Sequence, residues 1–145
     1  MDIIESVRIA MRNRIVGEGK ICLQKQFQKD FEKVPDDAGN FYIRETVLDM
    51  GRSEPSQATE LQSILCEYDI IIHRLLLNPT LTAYNCVEKF RAEFDVKDPV
   101  RVNIELAEQE NSQAWIREPV TCKAPEQDGD YFRIPVLIYV DCLIG

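Results

Sequence analysis

The chain holds a single histidine, His73, a single tryptophan, Trp115, and no two cysteines spaced C-x-x-C. Each scarcity removes a class of chemistry. A nucleophile needs a base, and the base needs an orienting group. One histidine inside an apolar run supplies no such set. The G-x-S-x-G elbow, the P-loop and the G-x-G-x-x-G turn are also missing. Zinc needs three or four close-set ligands. Cys22, Cys66, Cys86, Cys122 and Cys142 are odd in number and widely spaced. They read as reduced thiols acting as small core residues, which implies a reducing compartment. No cofactor or metal site is expected.

Long hydrophobic runs are missing too. The runs Ile70–Ile72 and Leu75–Leu77 are separated by His73 and Arg74. A membrane-spanning helix needs roughly 20 apolar residues in succession, so no membrane contact is expected. Charges at Asp2, Glu5, Arg8, Arg12 and Arg14 break up Met1–Val16, and no secretory signal is expected there. Basic charge is short as well. Lys and Arg number 17 against 25 Asp and Glu, giving a net charge of -8. Binding a nucleic acid by bulk electrostatics requires clustered Lys and Arg, which this balance disfavours.

What remains is an ordinary folding chain. At 145 residues, with 45% hydrophobic and 29% charged side chains, it suits one domain over 1–145 with its own core. Ile3, Ile4, Val7, Met11 and Ile15 recur at helical spacing, and Gly17 and Gly19 end that helix. Lys20–Phe27 alternates weakly and predicts a short strand. Val34–Asn40 carries turn residues, and Phe41–Met50 reads as a strand. Gly51–Glu60 is a polar loop of the length that often carries function.

Leu61–Leu77 is the strongest strand signal. Cys66, Tyr68, Ile70, Ile72, Arg74 and Leu76 share one face, nearly all apolar. Leu65, Glu67, Asp69, Ile71, His73 and Leu75 share the other, which begins polar. One face therefore packs on a core and the other is partly exposed. Leu81, Tyr84, Val87, Phe90 and Phe94 follow at helical spacing. Val100–Ala107 alternates as a strand, Gln113–Lys123 holds a further short one, and Pro125–Asp130 turns the chain. Tyr131–Leu143 is a second strong strand, in which Pro135 predicts an edge position or a bulge. The expected architecture is α+β: a mixed or antiparallel sheet of about four to six strands with two helices packed on one face.

Acid pairs are the only further chemistry on offer. Glu67 and Asp69 share a strand face about 6–7 Å apart, a spacing that could hold a cation or support acid–base work, although a solvated strand face or a subunit contact is the favoured reading. Asp128-Gly129-Asp130 lacks the oxygen series of a calcium loop and reads as a turn. Tyr42 and Trp115 are the aromatics best suited to exposed contacts.

The order of these segments resembles the tail terminator proteins of long-tailed bacteriophages, related to minor tail protein U. The resemblance rests on the helix of Ile3–Ile15, the strand Phe41-Tyr42-Ile43-Arg44-Glu45-Thr46-Val47-Leu48 and the polar loop Gly51–Glu60. It extends to the long strand Ile64–Leu77 running into the helix Thr80–Phe94, and to the closing Tyr131-Phe132-Arg133-Ile134-Pro135-Val136. It spans nearly the whole chain. The loop at 51–60 departs from the Gly-rich character common in that family, and 108–130 is long.

The resemblance implies a structural protein of the virion, assembled in the host cytoplasm, and no enzyme. Such proteins form a homohexameric ring on the finished tail tube, stop its growth and present a surface to the head. The implied partners are other copies of the chain, the tail tube protein, a head-completion or neck protein and, in a sheathed tail, the sheath protein. DNA would pass through the lumen without specific binding. Ring closure uses head-to-tail contacts, for which Arg44, Arg52, Ser53, Glu54, Glu67 and Arg74 are the expected contact residues. Two alternatives stay open: another neck connector, and a small cytosolic α+β enzyme or ligand-binding domain built on Glu67, Asp69 and His73.

Overall fold

A computed structural model describes residues 2–29, 41–53, 60–73, 79–96, 101–106, 111–116 and 118–144. The first helix, α1 (Ile3–Ile15), starts where the Asp2 carboxylate accepts the Ile4 N–H at 3.2 Å. That cap satisfies one of the donors a helix start leaves free. Ile3, Val7, Ala10, Met11 and Ile15 are buried along one stripe, as their spacing predicts. Arg12 and Arg14 occupy the last turn, where cations suit the helix dipole.

The expected strand over Lys20–Phe27 does not form as such. Val16 and Cys22 make an isolated parallel bridge, Gln24–Gln26 is a single 3-10 turn, and the strand β1 covers only Phe27–Lys29. The alternation read there belonged to a turn whose Gln26 side chain accepts from the Leu23 N–H.

Three long strands form the sheet: β2 (Tyr42–Ser53), β3 (Glu60–His73) and β8 (Tyr131–Ile144). Fourteen residues of β3 reach about 45 Å at the usual rise. The strand β2 runs three residues into the segment read as a loop. A bulge between Asp49 and Gly51 permits this, with Gly51 at φ 120° and its N–H donated to Asp49 Oδ1 at 3.0 Å. Residues 54–59 and 74–78, the rest of that loop and the end of the expected long strand, lie outside the described residues.

After α2 (Pro79–Phe94) come β4 (Val102–Ile104), β5 (Ser112–Ile116), β6 (Thr121–Cys122) and β7 (Glu126–Asp128). The sheet order is β1-β2-β3-β8-β5-β4, with β6 and β7 also paired to β8. Among the described residues eight strands thus replace the expected four to six. Most of the excess comes from the stretch read as one short strand and a turn, which supplies β5, β6 and β7 in succession along one edge of β8.

This succession corrects the reading of Pro135. It sits opposite Asp69 in a strand with partners on both sides. Its carbonyl accepts the Lys123 N–H at 2.9 Å. Both backbone groups of a strand residue point to the same neighbour, so the missing N–H falls at the break between β6 and β7. The proline marks that break and not the sheet edge.

Both helices pack on one sheet face. Ile64, Cys66, Tyr68, Ile70 and Ile72 of β3 and Ile134, Val136, Ile138, Val140 and Cys142 of β8 form the core with them. The aromatic rings of Phe27, Tyr68, Phe90 and Phe94 run through it, with successive centroids 6.5, 5.7 and 6.3 Å apart. Each such side chain contributes about 1.5–3 kcal/mol by burial. The Asp95 carboxylate accepts the Val120 N–H at 2.8 Å and ties the end of α2 to the segment before β6.

Candidate interaction surface

Among the described residues the second face of the sheet carries no helix. Strand parity assigns to it Tyr42, Arg44, Thr46 and Leu48 of β2 and Leu61, Ser63, Leu65, Glu67, Asp69 and Ile71 of β3. From β8 it takes Arg133, Pro135, Leu137, Tyr139, Asp141 and Leu143. The registers bring these into rows across the strands: Tyr42 with Ile71 and Arg133, Arg44 with Asp69 and Pro135, Leu48 with Leu65 and Tyr139, and Ser63 with Asp141 and Trp115.

A charged cluster sits mid-face. Asp69 is 2% exposed. Arg44 Nη2 approaches its Oδ2 at 3.6 Å from β2, and Arg133 Nη1 approaches at 3.7 Å from β8. Arg133 also pairs with Glu126 of β7. Glu67 lies beside Asp69 on the same strand. Burial, then the hydrogen bond and charge of Glu67, push the Asp69 carboxyl up to about 6, while Arg133 and Arg44 pull it the other way. Burial wins because the guanidinium nitrogens stand beyond hydrogen-bond distance.

The rest of the face is mixed. Ser63 Oγ donates to Asp141 Oδ1 at 3.1 Å. Arg101 lies over the Trp115 ring at 4.5 Å. Leu48 is 49% exposed, and Met50, in the bulge of the same strand, is 55% exposed. Tyr42, expected to be an exposed contact, is buried against Tyr131 and Ile71 instead.

Of the residues expected at a subunit contact, Arg44 and Glu67 both lie on this face, in adjacent rows. Arg52 and Ser53 take strand positions opposite Gln62 and Leu61 at the far end of β2. Glu54 and Arg74 lie outside the described residues. Arg133, Glu126 and Asp141 were missed. Their only signal in the sequence is strand alternation, and alternation does not say which strand stands next to which.

Among the described residues no three or more His, Cys, Asp or Glu side chains gather as metal ligands. Two hollows, of about 330 and 360 Å³, lie at the ends of the helices and share Asn13 and Arg14; neither is lined by Glu67 or Asp69.

No protein-family model matches the chain, and no curated protein matches it in sequence. A solved structure whose name states no function has the same fold, with a TM-score of 0.68 over 95% of this chain and 94% of that one. Its identity to this chain is 13%, so the likeness concerns the fold alone.

Proposed function

We propose that the chain is a non-enzymatic ring-forming protein of the phage tail. In this reading it caps the tail tube as a homohexamer, ends polymerisation and presents the joining surface for the head. The observation that carries the reading is the uncovered sheet face. Its long strands carry apolar and charged side chains whose exposure monomer folding does not require. Exposed Leu48 and Met50 lie at one end of a charged cluster in which Arg44, Glu67 and Arg133 surround the buried Asp69. An interface of this kind combines apolar anchors with charges that fix register. The acidic balance suits a ring whose lumen passes DNA, since carboxylates keep the polyanion from adhering.

Light scattering on the protein alone, and again with purified tail tubes, tests the reading. The expected result is a particle of six 16.8 kDa chains, free or tube-bound. A strict monomer that ignores tubes overturns it. A neck connector would use the same surface but bind the head-side ring in place of the tube. One observation favours a second reading: Asp69, buried with a carboxyl at about 6 beside Glu67, is poised as a proton-transfer group. That reading requires a small molecule to bind at the face and to be lost in Asp69→Asn.

A further inference from the structure

The ring reading leaves open which two surfaces of the chain meet. A head-to-tail contact joins two different patches, one from each copy. Two copies that each carry -8 repel at long range, so the patches must bring opposite charge together locally.

Positive charge gathers at the ends of the two helices. The groove there is lined by Asn13, Arg14, Gly19, Lys20, Lys89 and Glu93 among others. Its one carboxylate is already neutralised. Arg14 Nε reaches Glu93 Oε1 at 2.7 Å, and its terminal nitrogens donate to the carbonyls of Glu93 and Asn103 at 3.2 Å. Lys20 donates only to the Asn13 carbonyl. Lys89 is exposed and makes no ion pair among the described residues. Among the described residues the groove therefore holds two ammonium groups with no carboxylate to meet them.

The opposite charge stands on a narrow projection. Strands β7 and β8 are joined by the two-residue turn Gly129-Asp130, with Asp128 directly opposite Tyr131. Gly129 takes φ 60°, as tight hairpin turns of this length require. Glu126, paired with Arg133, braces the hairpin on its β8 side. Gln127, Gly129 and Asp130 are exposed. Two strands about 5 Å apart make a tip slim enough to enter the groove. The tip also continues the sheet face through the Glu126–Arg133–Asp69 chain of charges.

We propose that the Gly129-Asp130 hairpin of one copy seats in the groove of the next, with Asp130 between Lys20 and Lys89. The contact rests on the ring reading and names its two halves: sheet face and hairpin on one side, helix ends on the other. It is heterologous, and repetition closes a ring when the rotation between successive copies returns to the start.

Charge exchange tests it. Lys89→Glu and Asp130→Lys, each alone, should weaken assembly about tenfold or more at low salt, as loss of one close interfacial charge pair does. The double variant carries the exchanged pair and should regain most of that loss. All three should melt with the wild type, because both positions are exposed; Lys89→Ala replaces Lys89→Glu if the latter does not fold. Zero-length carbodiimide coupling of mixed light and heavy-isotope chains should link Asp130 of one copy to Lys20 or Lys89 of another.

Single variants that assemble into six-chain particles like wild type, with no such crosslink, overturn the contact and leave the ring reading standing. Variant-sensitive assembly into a particle other than six chains supports the contact and overturns the ring reading. A wild-type chain that stays monomeric with and without tubes overturns both.

Discussion

Arg8 of the first helix places its Nε 3.3 Å from the Glu45 carboxylate, which is 2% exposed on the helix-covered face of β2. The same guanidinium meets Glu5 at 3.3 Å one helical turn away. Glu45 stands opposite Tyr68 in the register; burial pushes the Tyr68 hydroxyl well above its ordinary range, and the Glu45 charge adds to it. The pair ties α1 to β2. Arg8→Ala should cost about 3 kcal/mol, because it leaves a buried charge without its cation. Glu45→Gln with Arg8→Ala should cost less than the Arg8 change alone. Urea melts of the two variants check this ordering.

The Asp69 carboxyl, pushed up to about 6 from 3.8, ties stability to pH in a definite direction. The folded chain holds this proton more tightly than the unfolded chain does. The resulting stabilisation is complete below pH 3.8 and is lost as the pH rises through 6. Between pH 5 and 7 the wild-type melting temperature should therefore carry a falling contribution from this site. Asp69→Asn mimics the protonated form and should remove that contribution. An unchanged slope in the variant would show that the proton resides elsewhere.

The cysteines should be inert in the native protein. Burial pushes the thiols of Cys22, Cys86 and Cys142 up to about 12, and that of Cys66 above its ordinary range. Thiolate, the reactive form, is then scarce at pH 8. Cys122 is half-buried and is the one position a reagent can reach. A short iodoacetamide pulse read by mass spectrometry should label Cys122 first and the other four only after unfolding.

Assembly should depend on the far end of β2. Arg52→Glu with Glu54→Arg should weaken the multimer and leave monomer stability within about 1 kcal/mol. Leu48→Ser with Met50→Ser should act in the same direction, since both side chains are half-exposed already and contribute little to the core. Sedimentation at several concentrations reads both effects.

Much of the fold is legible in local pattern. The stripe of Ile3, Val7, Met11 and Ile15 and the run of Cys66, Tyr68, Ile70 and Ile72 face the core as their periods require. The α+β class follows from the order of such segments. The boundaries were less legible: a turn stood where Lys20–Phe27 alternates, and three short strands emerged from 112–128.

The candidate surface divides the same way. Glu67 and Asp69 share a face by strand parity alone, and the sequence by itself determines that much. That Arg44 and Arg133 flank Asp69, that Asp141 meets Ser63, and that Pro135 sits at a break between partners were decided by the tertiary structure. Periodicity is a property of consecutive residues, set by backbone geometry at each step. Register between strands separated by 60 or more residues, as between β3 and β8, is set by how the whole core packs, and no local pattern encodes it.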